Sequence, residues 1–277
     1  MRISISNIAW DVHEDSQIFD LLRKYNINAI DIAPGKYFPD PVQANDNEIL
    51  AVKNKWNKEG FDIVGMQSLL FGTQGLNVFS SAETQNNMFR HLKAVCRVAA
   101  GLGVKALVFG SPKNRDRHDL NDQKSMEIAV SFFRSLGDIA KEFGVIICLE
   151  PNPTCYGANF MTTSMETSKV VRNVAHSHIK MQLDIGAITI NNENIHEVLA
   201  RDSDIIGHIH LSEPDLKPLG HKNTNHKIIA DELARYFENS IATIEMLVTS
   251  DTPHLLSIEE SLKIATSFYR GNVRGDA

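Results

Sequence analysis

The chain has 277 residues, 43% of them apolar, enough for one substantial core and within the span of a single α/β barrel domain. Its formal charge of −6 is carried by interspersed residues, which argues against a nucleic-acid partner recruited through counterion release. Cys96, Cys148 and Cys155 form no CxxC pair and read as free thiols of a reducing compartment; with no signal-type apolar core and no membrane-length apolar stretch, a soluble cytoplasmic protein is expected.

Strand-like runs fall at Ile3–Ile8, Ala29–Ala33, Phe61–Gln67, Lys105–Phe109, Val145–Glu150, Ile179–Asp184, Ile205–His210 and Ile241–Glu245. Helical patterns lie between and after them, at Ser16–Tyr25, Glu48–Glu59, Glu83–Leu102, Gln123–Phe143, Ser164–Val174, Ile195–Arg201, His226–Asn239 and Ile258–Tyr269. Most follow a capping-type residue, and several end near Gly60, Gly103 or Gly144, where a left-handed cap is favourable. Eight alternating units predict a closed (β/α)8 TIM barrel spanning residues 1–277, with a polar tail, Gly271–Ala277, that frays.

Glu150, Asp184, His210 and Glu245 end the last four strand runs, separated by 34, 26 and 35 residues. Catalytic groups of such barrels gather at the strands' C-terminal ends, so this phasing brings all four side chains to one rim. Side chains two apart along a strand share a face, which points Cys148 with Glu150, Gln182 with Asp184, His208 with His210 and Thr243 with Glu245 into the barrel. One Glu or Asp at a strand end is more often a helix cap or a salt-bridge partner, but four at successive strand ends are hard to leave unpaired without a metal. Three carboxylates and an imidazole make a mostly hard donor set, suited to one divalent ion, Mn²⁺ first and Mg²⁺ or Co²⁺ next, rather than a structural tetrahedral zinc. An ion there would acidify the proton beside a sugar carbonyl, and Glu150 and Glu245, approaching from well-separated strands, would remove and return it on opposite faces.

Other rim residues carry a functional reading beside a plainer one. His208 either contacts substrate or is a hydrogen-bonded core histidine, and Glu213 either accepts a sugar hydroxyl or caps a loop. Lys113 and Arg115, in the segment Gly110–Arg115, offer cations for a phosphate or carboxylate or are simply solvated. Trp10 and Phe71 stack on a sugar or pack in the core. Lys217 and His221 sit in a Pro/Gly-containing loop, Ser212–Asn225, long enough for a lid. Cys148 and Cys155 flank Glu150 without a partnering histidine motif, so a thiol nucleophile is weakly supported.

The runs Glu150-Pro151-Asn152-Pro153, Gln182-Leu183-Asp184, Gly207-His208-Ile209-His210-Leu211-Ser212-Glu213 and Thr243-Ile244-Glu245 resemble the sugar phosphate isomerase/epimerase family, the xylose isomerase-like TIM barrels that include ketose 3-epimerases. The resemblance covers nearly the whole chain and implies that Glu150, Asp184, His210 and Glu245 bind the metal while the two glutamates act as acid and base. It also implies a small carbohydrate as substrate, with homo-oligomers common. Departures narrow this. Where many members carry a histidine three residues after the strand-six aspartate, this chain has Ala187; where ketose 3-epimerases place a glutamate and an arginine to hold substrate, it has Tyr156, and Leu216 with Lys217. A sugar other than a free ketulose, modified or phosphorylated, is therefore expected. Aldose–ketose isomerisation, dehydration of a keto-polyol and non-catalytic sugar binding stay open. The related apurinic-site endonucleases are disfavoured, because Gln67-Ser68, Gly110-Ser111 and Ala187 stand where those add histidines.

Overall fold

The computed structural model describes residues 1–222, 224–248 and 252–270. Eight strands are laid down in chain order: β1 (Arg2–Ser6), β2 (Ala29–Ile32), β3 (Asp62–Met66), β4 (Ala106–Phe109), β5 (Ile146–Leu149), β6 (Ile179–Asp184), β7 (Ile206–Ser212) and β8 (Ile241–Glu245). Each pairs in parallel with the next, and β1 pairs with β8 to close the ring. This is the eight-stranded barrel expected from the alternation of elements.

The helices are α1 (Asp15–Lys24), α2 (Asp46–Lys58), α3 (Ala82–Leu102), α4 (Asp122–Glu142), α5 (Ser164–Val174), α6 (Ile185–Ile190), α7 (Ile195–Asp202), α8 (His226–Phe237) and α9 (His254–Phe268). Their starts follow local chemistry: side-chain oxygens of Asn45, Ser81, Asn121, Thr163, Asn194 and Asn225 accept from backbone N–H groups of the first turn. Gly103, at φ 88°, supplies the left-handed turn that ends α3. Trp10, Phe19, Trp56 and Phe61 pack edge-to-face and stacked around α1 and α2, an example of the apolar layer between barrel and helices.

Several boundaries shift by a residue or two from the sequence expectation, β1 for example ending at Ser6 and not Ile8, and three further differences stand out. Strand β7 continues two residues past His210, because Leu211 and Ser212 still pair with Ile244 and Glu245 of β8. Helix α6 has no counterpart among the expected helices; Asp184, the last residue of β6, caps it by accepting from Ala187 N–H, so strand and helix share a residue. Helix α9 begins four residues before Ile258, at His254 directly after Pro253. The tail from 271 onward lies outside the described residues. Among the described residues no helix is long and apolar enough to cross a membrane.

Candidate metal centre

At the C-terminal ends of the strands, donor atoms of Glu150, Asp184, His210 and Glu245 all lie within 4.8 Å of one another, and all four side chains are buried. His210 is the hub. Its Nδ1 sits 3.2 Å from Glu245 Oε2 and 3.5 Å from Glu150 Oε1.

Each carboxylate is held by a neighbour. Gln67, directly after β3, donates from Nε2 to Glu245 Oε1 at 2.5 Å. Asn152 donates from Nδ2 to Glu150 Oε2 at 3.3 Å, and Arg115 in turn donates to Asn152 Oδ1 at 2.6 Å. Asp184 accepts from Ala187 N–H through Oδ1 and from the Ser212 hydroxyl through Oδ2, both at 2.6 Å. Ser212 Oγ accepts from Gly186 N–H at 2.8 Å, fixing that hydroxyl's direction. Close backbone approach completes the cradle: a Cβ on Gly110 would lie 2.0 Å from Glu150 Oε2.

The charge distribution calls for a cation. Burial, reinforced by the nearby Glu245 and Glu150 charges, pushes the Asp184 carboxyl up to about 8. Burial also opposes ionisation of Glu245, but His210 and the hydrogen bonds from Gln67 and Asp184 outweigh it, so its carboxyl lies below the ordinary value. Burial opposes the His210 imidazolium as well, and the surrounding Glu245, Asp31 and Glu150 carboxylates raise it well above the ordinary value. Glu150 Oε1 has no hydrogen-bond partner although it is buried. Three converging carboxylates, one unpartnered oxygen and an imidazole nitrogen fit a divalent ion of hard or intermediate character.

A second layer underlies the site. Asp31, the lone charge in the four-residue strand β2, accepts from His208 Nε2 at 2.6 Å and lies 3.9 Å from His210 Nε2. Ser4 and Thr243 add hydroxyls to this buried column. Burial works against the Asp31 charge, yet the two imidazoles hold its carboxyl far below the usual range. Gly65 makes room, since a Cβ there would lie 2.2 Å from Asp31 Oδ2.

The xylose isomerase-like TIM barrel family matches residues 19–264 of the sequence. The chain belongs to that family. No curated protein matches the sequence closely enough to serve as a relative. Similar solved structures include a D-psicose 3-epimerase with D-tagatose from Clostridium cellulolyticum H10 (TM-score 0.81, 18% identity, 98% of each chain covered). A 3-keto-D-glucoside 4-epimerase from E. coli (0.78, 15%, 96% of this chain and 99% of that one) and an IOLI protein with a binding zinc atom (0.75, 15%, 97% and 98%) share the fold.

Within this xylose isomerase-like barrel, the site residues expected from sequence divide into two groups. The four proposed ligands converge, and Lys113 lines the cavity above them, as do Phe71 and Glu213. The others are placed differently. His208 is buried against Asp31 beneath the centre instead of facing substrate, because its strand position falls one layer below His210. Arg115 is fully buried and turned to Asn152, so it braces the Glu150 side of the site and is no rim cation; burial pushes its guanidinium down to about 10. Trp10 is core, donating from its indole N–H to Asp15 Oδ1 at 2.8 Å and packing 6.4 Å from Trp56. Lys217 closes the turn Pro214–Leu216 and does not line the cavity, where Asp215 and Leu216 stand instead. His221 pairs with Glu260 at 3.1 Å. Glu213 also spends its oxygens on Gly220 N–H, His226 Nε2 and the Thr224 hydroxyl, tying those residues to the end of β7. Cys148 is a buried thiol, raised to about 12 by burial, and unsuited to nucleophilic attack.

Sequence reasoning missed Asp31, Gln67, Asn152 and Ser212. The first had a signal: a lone acid inside a fully buried four-residue strand. The other three are ordinary polar residues just after or at the end of a strand, and only their neighbours give them a role.

Proposed function

We propose that this protein is a divalent-metal-dependent epimerase or isomerase acting on the carbon next to a carbonyl in a sugar or sugar derivative. The observation that carries the reading is the pair Glu150 and Glu245, buried, each with an oxygen within 3.5 Å of His210 Nδ1, and borne by strands three apart in the ring. Similarity to solved sugar epimerases supports it. Glu150, Asp184, His210 and Glu245 would hold the ion, Mn²⁺ being our first choice. When bound, the ion supplies Lewis-acid polarisation of a carbonyl and neutralises developing negative charge.

The protein's own groups then divide the proton work. One glutamate takes the carbon-bound proton from one face, and the other delivers a proton to the opposite face, inverting the carbon. Gln67 and Asn152 each hold one oxygen of their glutamate, leaving the second oxygen for proton transfer. Asp31, bonded to His208, lies beneath His210 with its carboxylate 3.9 Å from Nε2. The same pair of glutamates also serves aldose–ketose isomerisation, in which the proton returns to the neighbouring carbon.

The test is deuterium exchange. Protein loaded with Mn²⁺ is incubated in D₂O with a panel of ketoses, keto-glycosides and sugar phosphates, and deuterium entry is followed by NMR. Glu150→Gln and Glu245→Gln are each expected to lower exchange by about 10²–10⁴-fold, the usual worth of a general acid or base, with the melting temperature kept. Absence of exchange across the whole panel would end the proposal.

A further inference from the structure

The cavity above the carboxylates has a volume of about 820 Å³. A hexose, with twelve heavy atoms, fills roughly 200 Å³ at protein packing density. Space for a second group of comparable size or larger remains.

The lining tells what that group is. The loops that follow three adjacent strands, β3, β4 and β5, contribute Leu69, Leu70, Phe71, Pro112 and Tyr156 beside the polar Ser68, Ser111, Lys113 and Asn152, so an apolar strip runs through this arc of the rim. Phe71 is 84% exposed, held in a turn where its N–H donates to Ser68 carbonyl at 3.0 Å. An aromatic ring so placed at a pocket mouth is a platform waiting for a flat or aliphatic partner. The Tyr156 hydroxyl accepts from Asp215 N–H at 2.7 Å, so the ring is tethered with 39% of the residue exposed.

The charges point the same way. Glu150, Asp184, Glu213, Asp215 and Glu245 line the cavity, and Lys113 is the single cation among the described lining residues. Arg115, the other candidate for an anion, is turned away to Asn152. A phosphate or carboxylate on the substrate would find no cation of the protein other than Lys113 among the described lining residues.

We infer that the substrate is an uncharged keto-sugar glycoside whose apolar aglycone packs on Phe71 and Tyr156, while its sugar ring sits over the carboxylates. The inference rests on the sugar-binding reading of the site. It assigns Phe71 as a specificity residue, for a substrate larger than a free ketose.

Binding of unreactive probes separates the two ideas. The Mn²⁺-loaded protein is titrated calorimetrically with phenyl β-D-glucoside, methyl β-D-glucoside and glucose 6-phosphate. The phenyl glycoside is expected to bind about tenfold tighter than the methyl glycoside, the phosphate weakest, and Phe71→Ala to reduce the phenyl preference below about threefold. Equal binding of the two glycosides, strongest binding of the phosphate, or an unchanged preference in Phe71→Ala would overturn the inference. So would a dimer that Phe71→Ala dissociates, because the ring would then be covered by a second copy. The phenyl preference together with no deuterium exchange on any sugar would uphold the subsite and remove the catalytic reading.

Discussion

Replacing Gly110 by alanine separates the geometry of the centre from the stability of the barrel. A methyl group at this position would lie 2.0 Å from Glu150 Oε2, whereas ordinary contact begins at 3.4 Å. Oε2 must therefore retreat by about 1.4 Å, losing its 3.3 Å bond from Asn152 and shifting Oε1 from its 3.5 Å approach to His210. Gly110 does not occupy a left-handed conformation, so the backbone accepts alanine, and the displaced group is the end of a flexible side chain beside an open cavity. Stability should fall by less than about 1 kcal/mol. Function should suffer far more: about 1 Å of misplacement at a reacting group costs roughly 100-fold, and disturbing a ligand's support costs roughly 10- to 100-fold in metal affinity. Calorimetric Mn²⁺ titration, deuterium exchange and urea denaturation of Gly110→Ala measure the three quantities. Unchanged metal affinity and exchange would refute the reasoning, as would a stability loss above about 3 kcal/mol, which would put the strain on the backbone.

Other perturbations probe the layers around the centre. Asp31→Leu leaves His208 buried without its carboxylate and should cost about 3–5 kcal/mol in urea denaturation, while Asp31→Leu with His208→Phe should recover much of that loss; a double variant as unstable as the single would count against the pair. Asp184→Asn and His210→Ala should lower Mn²⁺ affinity with the secondary structure intact, as read by calorimetry and circular dichroism. Burial opposes ionisation of Glu213, but bonds from His226, Thr224 and Gly220 prevail and its carboxyl lies below the ordinary 4.5. Its contribution is thus fully present above pH 4.5 and is lost as pH falls through the lower folded value. Glu213→Gln should be less stable at pH 7 by roughly 1.5–3 kcal/mol and flatter below pH 4.5; parallel acid profiles of variant and wild type would contradict this.

The barrel was legible because its signals are local. Alternating runs and caps such as Ser81 and Thr163 report on a few neighbouring residues, and Ser164–Val174, Ile179–Asp184 and Ile241–Glu245 coincide with the observed elements. The meeting of Glu150, Asp184, His210 and Glu245 was legible too, since a repeating strand–helix unit converts regular spacing into a shared rim. Elements whose start or end depends on another part of the chain were not. β7 extends to Ser212 because β8 is there to pair with it, and α6 starts on a residue that also ends a strand.

For single side chains the division has the same origin. Which strand ends carry chemistry can be read from the linear chain, because the type of each residue and its phase along the repeat are properties of that chain. Depth and direction come from the folded barrel: Arg115 faces Asn152 and not the rim, His208 lies under His210 on Asp31, Trp10 belongs to the core and Phe71 to the mouth. Depth depends on barrel stagger and on partners 26 to 178 residues away, such as Ser212 for Gly186 and Gln67 for Glu245, and no local pattern encodes those.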